Sequence, residues 1–378
     1  MQAHCFHLAT QASVLPKDLV EVPNKTIVLV FGPPSLSVEC PALSALTKAF
    51  PRSPIIGTSG CGSILGSRIH NEGLVITIIQ LEQSSFKVMW ANDSKESAAG
   101  AIIGKSLWRS TLKGILLLAN GTTHPDVLVH GLNLAIRGRV PIVGGLSGAS
   151  AQHPTWVLRR KELFSWGAVG IGFYGEHLQF DAAAGSGWSR DGSRIDLLQA
   201  TKTSEGRIEE LNGHRALPVF LKAIGGEAWS ETEFKAHLPR LSLAVGAPVK
   251  GQADVLRMPL EVDFRKGTFR LLGDTQAGTF LTPCRATPSS LIASTRSAVS
   301  TLARNHPGPG LFLALNSCGR RNSMGAQASD ELEAMASGLP KGSTMAGFYT
   351  YGEFGSGPNG ASFLNYTSMV ARLWEGPF

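Results

Sequence analysis

Apolar residues run through this chain in short unbroken blocks, and the blocks recur in a fixed order. Thr26-Ile27-Val28-Leu29-Val30-Phe31-Gly32, Gly114-Ile115-Leu116-Leu117-Leu118-Ala119-Asn120-Gly121 and Leu311-Phe312-Leu313-Ala314-Leu315-Asn316-Ser317-Cys318-Gly319-Arg320 are the leading blocks. A run of this length without polar alternation predicts a strand covered on both faces. The spacing then changes to three and four. Leu43, Leu46 and Phe50 follow the first block. Leu128, Leu132 and Ile136 follow the second, with Asp126 after Pro125 marking a helix start. Leu332, Met335 and Ala336 follow the third, with Asp330 and Glu331 in the first turn, where the helix dipole favours acids.

A second, shorter apolar block ending in glycine closes each copy. These are Pro54-Ile55-Ile56-Gly57-Thr58-Ser59-Gly60-Cys61-Gly62, Pro141-Ile142-Val143-Gly144-Gly145-Leu146-Ser147-Gly148 and Met345-Ala346-Gly347-Phe348-Tyr349-Thr350-Tyr351-Gly352-Glu353. Strand, helix and parallel strand is the predicted unit. Further strands are expected at 73–79, at 167–173 and 178–180, and at 363–370, adding antiparallel edges. The expected fold class is α/β, with two domains of mixed β-sheets covered by helices and built from related β-α-β-β units. Between the second and third copies, 207–213 reads as strand and turn and 216–224 as a helix burying Leu217, Phe220, Leu221 and Ile224. Two alternating strands are expected in 255–272 around Lys266-Gly267, and a helix over 289–304.

Length places a boundary in this chain: 378 residues exceed one ordinary core. The turn-rich Asp191-Gly192-Ser193 sets the expected domains at 1–190 and 191–378. Charged residues are only 17% against 43% hydrophobic, which excludes a disordered chain. The net charge of +7 does not imply nucleic acid, because the basic residues are scattered and no stacking aromatics accompany Arg159-Arg160-Lys161 or Arg320-Arg321. Attraction to acidic small molecules is the reading it supports. Cys5, Cys40, Cys61, Cys284 and Cys318 are odd in number and widely spaced, so neither a disulfide framework nor a zinc site is expected. The start lacks a basic, apolar leader, and no apolar run approaches the ~18 residues of a membrane span. A cytoplasmic protein is expected.

Candidate chemistry gathers in the third copy. Tyr349, Tyr351 and Glu353 share parity, so a continuing strand would turn two phenols and a carboxylate to one side, suited to an amine or polar head group. Cys318 and Arg320 end the neighbouring strand. Arg320 is placed either to clamp a carboxylate or phosphate or to pair with Glu353. Cys318 and Cys61 are buried thiols or, given a base, nucleophiles. The glycine turns lack a Walker lysine, which argues against nucleotide binding. Paired carboxylates, H-E-x-x-H and G-x-S-x-G are missing, so an enzyme is not expected.

The same residues resemble the FIST sensory family, which pairs a FIST N with a FIST C domain. The resemblance rests on Phe31, Ile56 to Gly62, Gly144 to Gly148, Gly167-Ala168-Val169-Gly170, and Glu210-Leu211-Asn212-Gly213-His214-Arg215-Ala216-Leu217. Most clearly it rests on Ser317-Cys318-Gly319-Arg320, Gly347 to Glu353 and Leu364-Asn365-Tyr366-Thr367. It implies a small-ligand sensor in intracellular signal transduction, passing its output to a separate signalling protein. The ligand is expected in the C-terminal half, near Cys318, Arg320, Tyr349, Tyr351 and Glu353. Some family members look like haem-based nitric oxide sensors; for that alternative His237, among apolar neighbours, is the candidate axial ligand. A thiol-dependent enzyme using Cys318 or Cys61 is the other alternative. Neither the ligand nor any cofactor is identified by these residues.

Overall fold

The computed structural model describes all residues except 92–95, 139, 151, 191–197, 205, 247–253, 358–359 and 377–378. The expected turn at Asp191-Gly192-Ser193 lies outside the described residues.

The three sequence copies fold as one unit used three times. Thr26–Gly32 pairs parallel with Ile55–Ser59 across the helix Pro41–Ala49. Leu112–Ala119 pairs parallel with Ile142–Leu146 across Pro125–Ile136. Leu311–Ser317 pairs parallel with Thr344–Thr350 across the helices Cys318–Met324 and Ala328–Ser337. In each unit a later strand lies antiparallel on the first: Leu74–Gln80, Ala168–Tyr174 and Ser368–Glu375 respectively. Each is further flanked, by Gln2–Leu8, Ser85–Ala91 and Leu178–Gly185 in turn. The strand expected over 363–370 is two strands, because Tyr366 takes φ 56° and turns the chain between Gly360–Leu364 and Ser368–Glu375.

The remaining edge of each six-stranded sheet is filled by a hairpin from another unit. The hairpin after the first unit's second strand, Ser63–Leu65 with Arg68–His70, docks on Thr344–Thr350 of the third. Val157–Arg159 with Glu162–Phe164 docks on Ile55–Ser59 of the first. Glu353–Gly357 with Gly360–Leu364 docks on Ile142–Leu146 of the second. The exchange is cyclic, and two of these sheets hold strands from both sides of residue 190. A separate nine-stranded sheet is built from Ser189–Arg190 to Phe280–Arg285 and covered by Ala216–Ile224 and Glu231–His237 around Phe220, Phe234 and Phe269.

Alternation along the first strands explains their unbroken hydrophobicity. Ile27, Leu29 and Phe31, Leu116 and Leu118, and Leu311, Leu313 and Leu315 enter one core shared by the three sheets. Val28 and Val30 face Leu43 and Leu46; Ile115 and Leu117 face Leu128 and Leu132; Phe312 and Ala314 face Leu332 and Met335. Both faces are therefore apolar, and each such side chain contributes about 1.5–3 kcal/mol on burial.

The second strands carry a glycine at one equivalent position. Gly57, Gly144 and Gly347 pair with Val30, Leu117 and Ala314. A Cβ at these glycines would stand 2.1, 1.7 and 1.8 Å from the partner's carbonyl oxygen. No side chain fits there, which is why glycine recurs at this place in the pattern.

Candidate functional site

Hairpin exchange brings the ends of the three second strands together. Gly148 N donates to Ser59 O (2.9 Å), joining the first and second units. Ser59 Oγ donates to Gly148 O at 2.7 Å, and Thr58 Oγ1 and Ser147 Oγ lie 2.7 Å apart. Tyr351 N donates to Leu146 O at 3.1 Å, joining the second and third. Cys61 N donates to Tyr349 O and Tyr349 N to Gly62 O, both at 2.9 Å, joining the third to the first.

Side chains from several segments collect at this junction. The Cys61 and Cys318 thiols are close enough for each to act on the other's ionisation. Their interaction pulls the Cys318 thiol below its ordinary range and pushes Cys61 well above it, and burial raises Cys61 further. Asn322 Nδ2 donates to Cys318 Sγ at 3.8 Å. Arg321 donates through Nη1 to Cys61 O and through Nη2 to Asn71 Oδ1 at 2.8 Å. Its guanidinium lies 5.3 Å above the Tyr349 ring. Tyr349 is fully enclosed, its hydroxyl has no partner among the described residues, and burial raises its phenol. Tyr351 stands at the surface, 36% exposed, and donates to Ala149 O at 3.0 Å.

The expected single face of Tyr349, Tyr351 and Glu353 does not form. The strand ends at Thr350, Gly352 turns with φ 151°, and Glu353 opens a strand of a different sheet. Glu353 is wholly buried, accepting from Thr350 Oγ1 at 2.5 Å and from Thr367 N at 3.1 Å. Desolvation outweighs those bonds and raises its carboxyl to about 8. Cys318 and Arg320 are not strand-end residues; they open the helix Cys318–Met324. Arg320 pairs with Glu331, not Glu353: Nη2 and Nε reach Glu331 Oε1 at 2.5 and 3.0 Å, with both side chains fully enclosed. Leu291 O, Thr295 Oγ1 and the carbonyls of Ser186 and Tyr366 accept its remaining donors.

Sequence reasoning gave no site role to Arg321, Asn322 or Tyr366, and it left Cys61 as a buried thiol or a nucleophile. The doublet Arg320-Arg321 was the available signal: on a helix, neighbours point to different sides, one inward and one to the junction. Gly319 belongs with them, since a Cβ there would meet Tyr366 at 2.5 Å. The Tyr366 hydroxyl donates to Leu241 O at 2.7 Å, tying this corner to the nine-stranded sheet.

Three cavities lie elsewhere, and none is lined by Cys318, Arg320, Tyr349, Tyr351 or Glu353. The largest, about 620 Å³, opens beyond Thr26–Gly32 among His7, Thr10, Ser37, Glu39 and Glu72. One of about 280 Å³ occupies the matching place in the second unit, beside His124 and Asp126, with Arg270 of the nine-stranded sheet and Asp274 of the loop after it across it. His237 lines the third, about 260 Å³. That volume is below the ~300–1,000 Å³ usual for drug-sized ligands, and a haem is larger. The His237 ring stacks on Trp229 at 4.1 Å, at the exposed end of its helix, beside Arg240 and Arg285. These residues do not fit a haem. Among the described residues no cluster of three or more His, Cys, Asp or Glu is placed to hold a metal.

The polar junction lies at converging strand ends, where open α/β sheets hold their ligands. The comparisons give the family: residues 26–214 match the FIST N domain and residues 216–356 the FIST C domain. The chain belongs to the FIST family, whose domains sense small ligands in signal transduction. The two matches meet beyond the boundary expected at 190/191. A comparison with curated proteins finds no match. Among the described residues no helix is long and apolar enough to cross a membrane.

Proposed function

We propose that this chain binds a small molecule at the three-way junction and passes the change to a separate signalling protein. The carrying observation is the enclosed, unpartnered Tyr349 hydroxyl beneath Arg321, with Tyr351 lying over the same junction. A buried donor without a partner costs about 1–3 kcal/mol, which a ligand's acceptor recovers. Arg321 supplies a fork for a carboxylate or phosphate, and Cys318 and Tyr351 form the walls. Arg320 and Glu353 act from behind: their atoms are committed to protein partners, so they hold the helix Cys318–Met324 and the hairpin in place. Tyr351 is partly exposed, its hydroxyl resting on Ala149 O beside the Cys61 thiol, so it is the group that moves. Because all three sheets bond to one another here, its displacement alters their mutual packing. A ligand preferring one packing ~100-fold shifts the balance by about 2.7 kcal/mol.

On this reading the protein is not an enzyme. Beside Cys318 stand Cys61 and Asn322, neither of them a general base for acyl transfer. We place it in the cytoplasm, where its five free cysteines would stay reduced. A thermal-shift screen of amino acids and small organic anions tests the site. A hit that raises Tm for the parent is expected to lose its effect in Arg321→Met and Tyr351→Ala. Retention in both overturns the site. The 620 Å³ cavity supports a second reading, since its volume suits a small ligand. Loss of the response in Glu39→Gln instead would select it.

A further inference from the structure

We propose that Cys61 and Cys318 are a thiol pair oxidised by hydroperoxides, Cys318 taking the oxygen and Cys61 closing a disulfide between the first and third units. The two residues are far apart in sequence, and the fold brings them side by side: Cys61 N donates to Tyr349 O next to the strand end that Cys318 follows, and Arg321, one turn after Cys318, donates to Cys61 O. Both are partly exposed, as is Cys5, whereas Cys40 and Cys284 are buried. Their surroundings are electropositive: Arg321 donates to the Cys61 carbonyl and faces both sulfurs, and Asn322 donates to Cys318 Sγ. The neighbouring Cys61 thiol, Arg321 and Asn322 together draw Cys318 below the ordinary thiol range, the direction that favours its thiolate. Cys5 is the contrast, raised by burial and contacting Thr77.

Cys318 thiolate attacks the terminal oxygen of the hydroperoxide, the O–O bond breaks, and the alcohol leaves with one proton. Cys318 is then a sulfenic acid. Cys61 sulfur attacks Cys318 sulfur, the S–O bond breaks, and hydroxide departs as water with the Cys61 proton. Two thiols are oxidised and one hydroperoxide is reduced. Arg321 stabilises the thiolate before attack and the oxygen as it departs. The new bond joins the turn after Ile55–Ser59 to the start of Cys318–Met324, fastening one seam of the junction beneath Tyr351. In its consequence for signalling the proposal rests on the reading of this junction as the sensing site; in its chemistry it needs no ligand.

The test uses the full reduced chain, treated with hydrogen peroxide and mapped by non-reducing peptide mass spectrometry. The expected result is one cross-linked species containing Cys61 and Cys318, lighter than the two peptides by two hydrogens. Cys61→Ser is expected to trap Cys318 as a sulfenic acid that dimedone labels, and Cys318→Ser to leave Cys61 unmodified. Peroxide that leaves both thiols free, or first oxidises Cys5, overturns the proposal, and the parent protein alone decides this should either variant fold poorly. A ligand-induced Tm shift without the disulfide sinks only the redox step. A disulfide in a protein that answers no ligand sinks only the ligand reading.

Discussion

Glu353 makes the stability of this protein depend on pH in the direction opposite to most carboxylates. Its side chain is wholly buried, and desolvation raises its pKa from an ordinary 4.5 to about 8 despite the bonds from Thr350 and Thr367. The native state therefore keeps a proton that the unfolded chain releases above 4.5. This contribution is fully present below the unfolded value and is lost as pH rises through 8. One proton's difference gives a slope of about 1.4 kcal/mol per pH unit, flattening near the folded pKa. From pH 6 to pH 8 the loss is about 2 kcal/mol. Glu353→Gln stays neutral throughout; its amide oxygen can face Thr367 N and its nitrogen Thr350 Oγ1, copying the protonated acid. Urea unfolding at both pH values is the assay. The variant should exceed the parent by about 2 kcal/mol near pH 6 and by about 4 kcal/mol near pH 8, and match it only below about pH 4. Parallel stability curves across that window would refute the reasoning, because Glu353 would then titrate alike in both states.

Two further outcomes follow from the packing. Alanine at Gly57, Gly144 or Gly347 sets a Cβ within 2.1, 1.7 or 1.8 Å of a carbonyl oxygen, so each substitution should cost about 3 kcal/mol or more in denaturant unfolding. A tolerated substitution at any one would break the equivalence of the units. Arg320→Met leaves Glu331 buried without its cation and should cost about 3–5 kcal/mol, read from the same transitions. A near-neutral result would show that Glu331 takes a proton at little cost.

Much of the architecture was legible because burial on both faces writes itself into sequence. Continuous blocks such as Ile27 to Phe31 and Leu311 to Leu315 announce strands between two apolar layers, and Leu128, Leu132 and Ile136 announce the covering helix. The parallel pairing within each unit followed from the connecting helix. The site was legible only in part. Cys318, Tyr349 and Tyr351 do meet, but parity failed at Gly352, where a positive φ carries Glu353 into another sheet. Arg320 was expected at a strand end; on the helix that forms instead it turns inward to Glu331, while Arg321 reaches the junction.

The order of hydrophobic blocks by itself determined three α/β units and a glycine at the same place in each, since local burial and close backbone approach leave marks on neighbouring residues. Only the tertiary structure decided which hairpin completes which sheet, and so that Cys61 meets Cys318 and that Arg321 covers Tyr349. Those contacts join distant segments through edge-strand hydrogen bonds, which backbone groups make whatever side chains they carry, and so no local pattern records them.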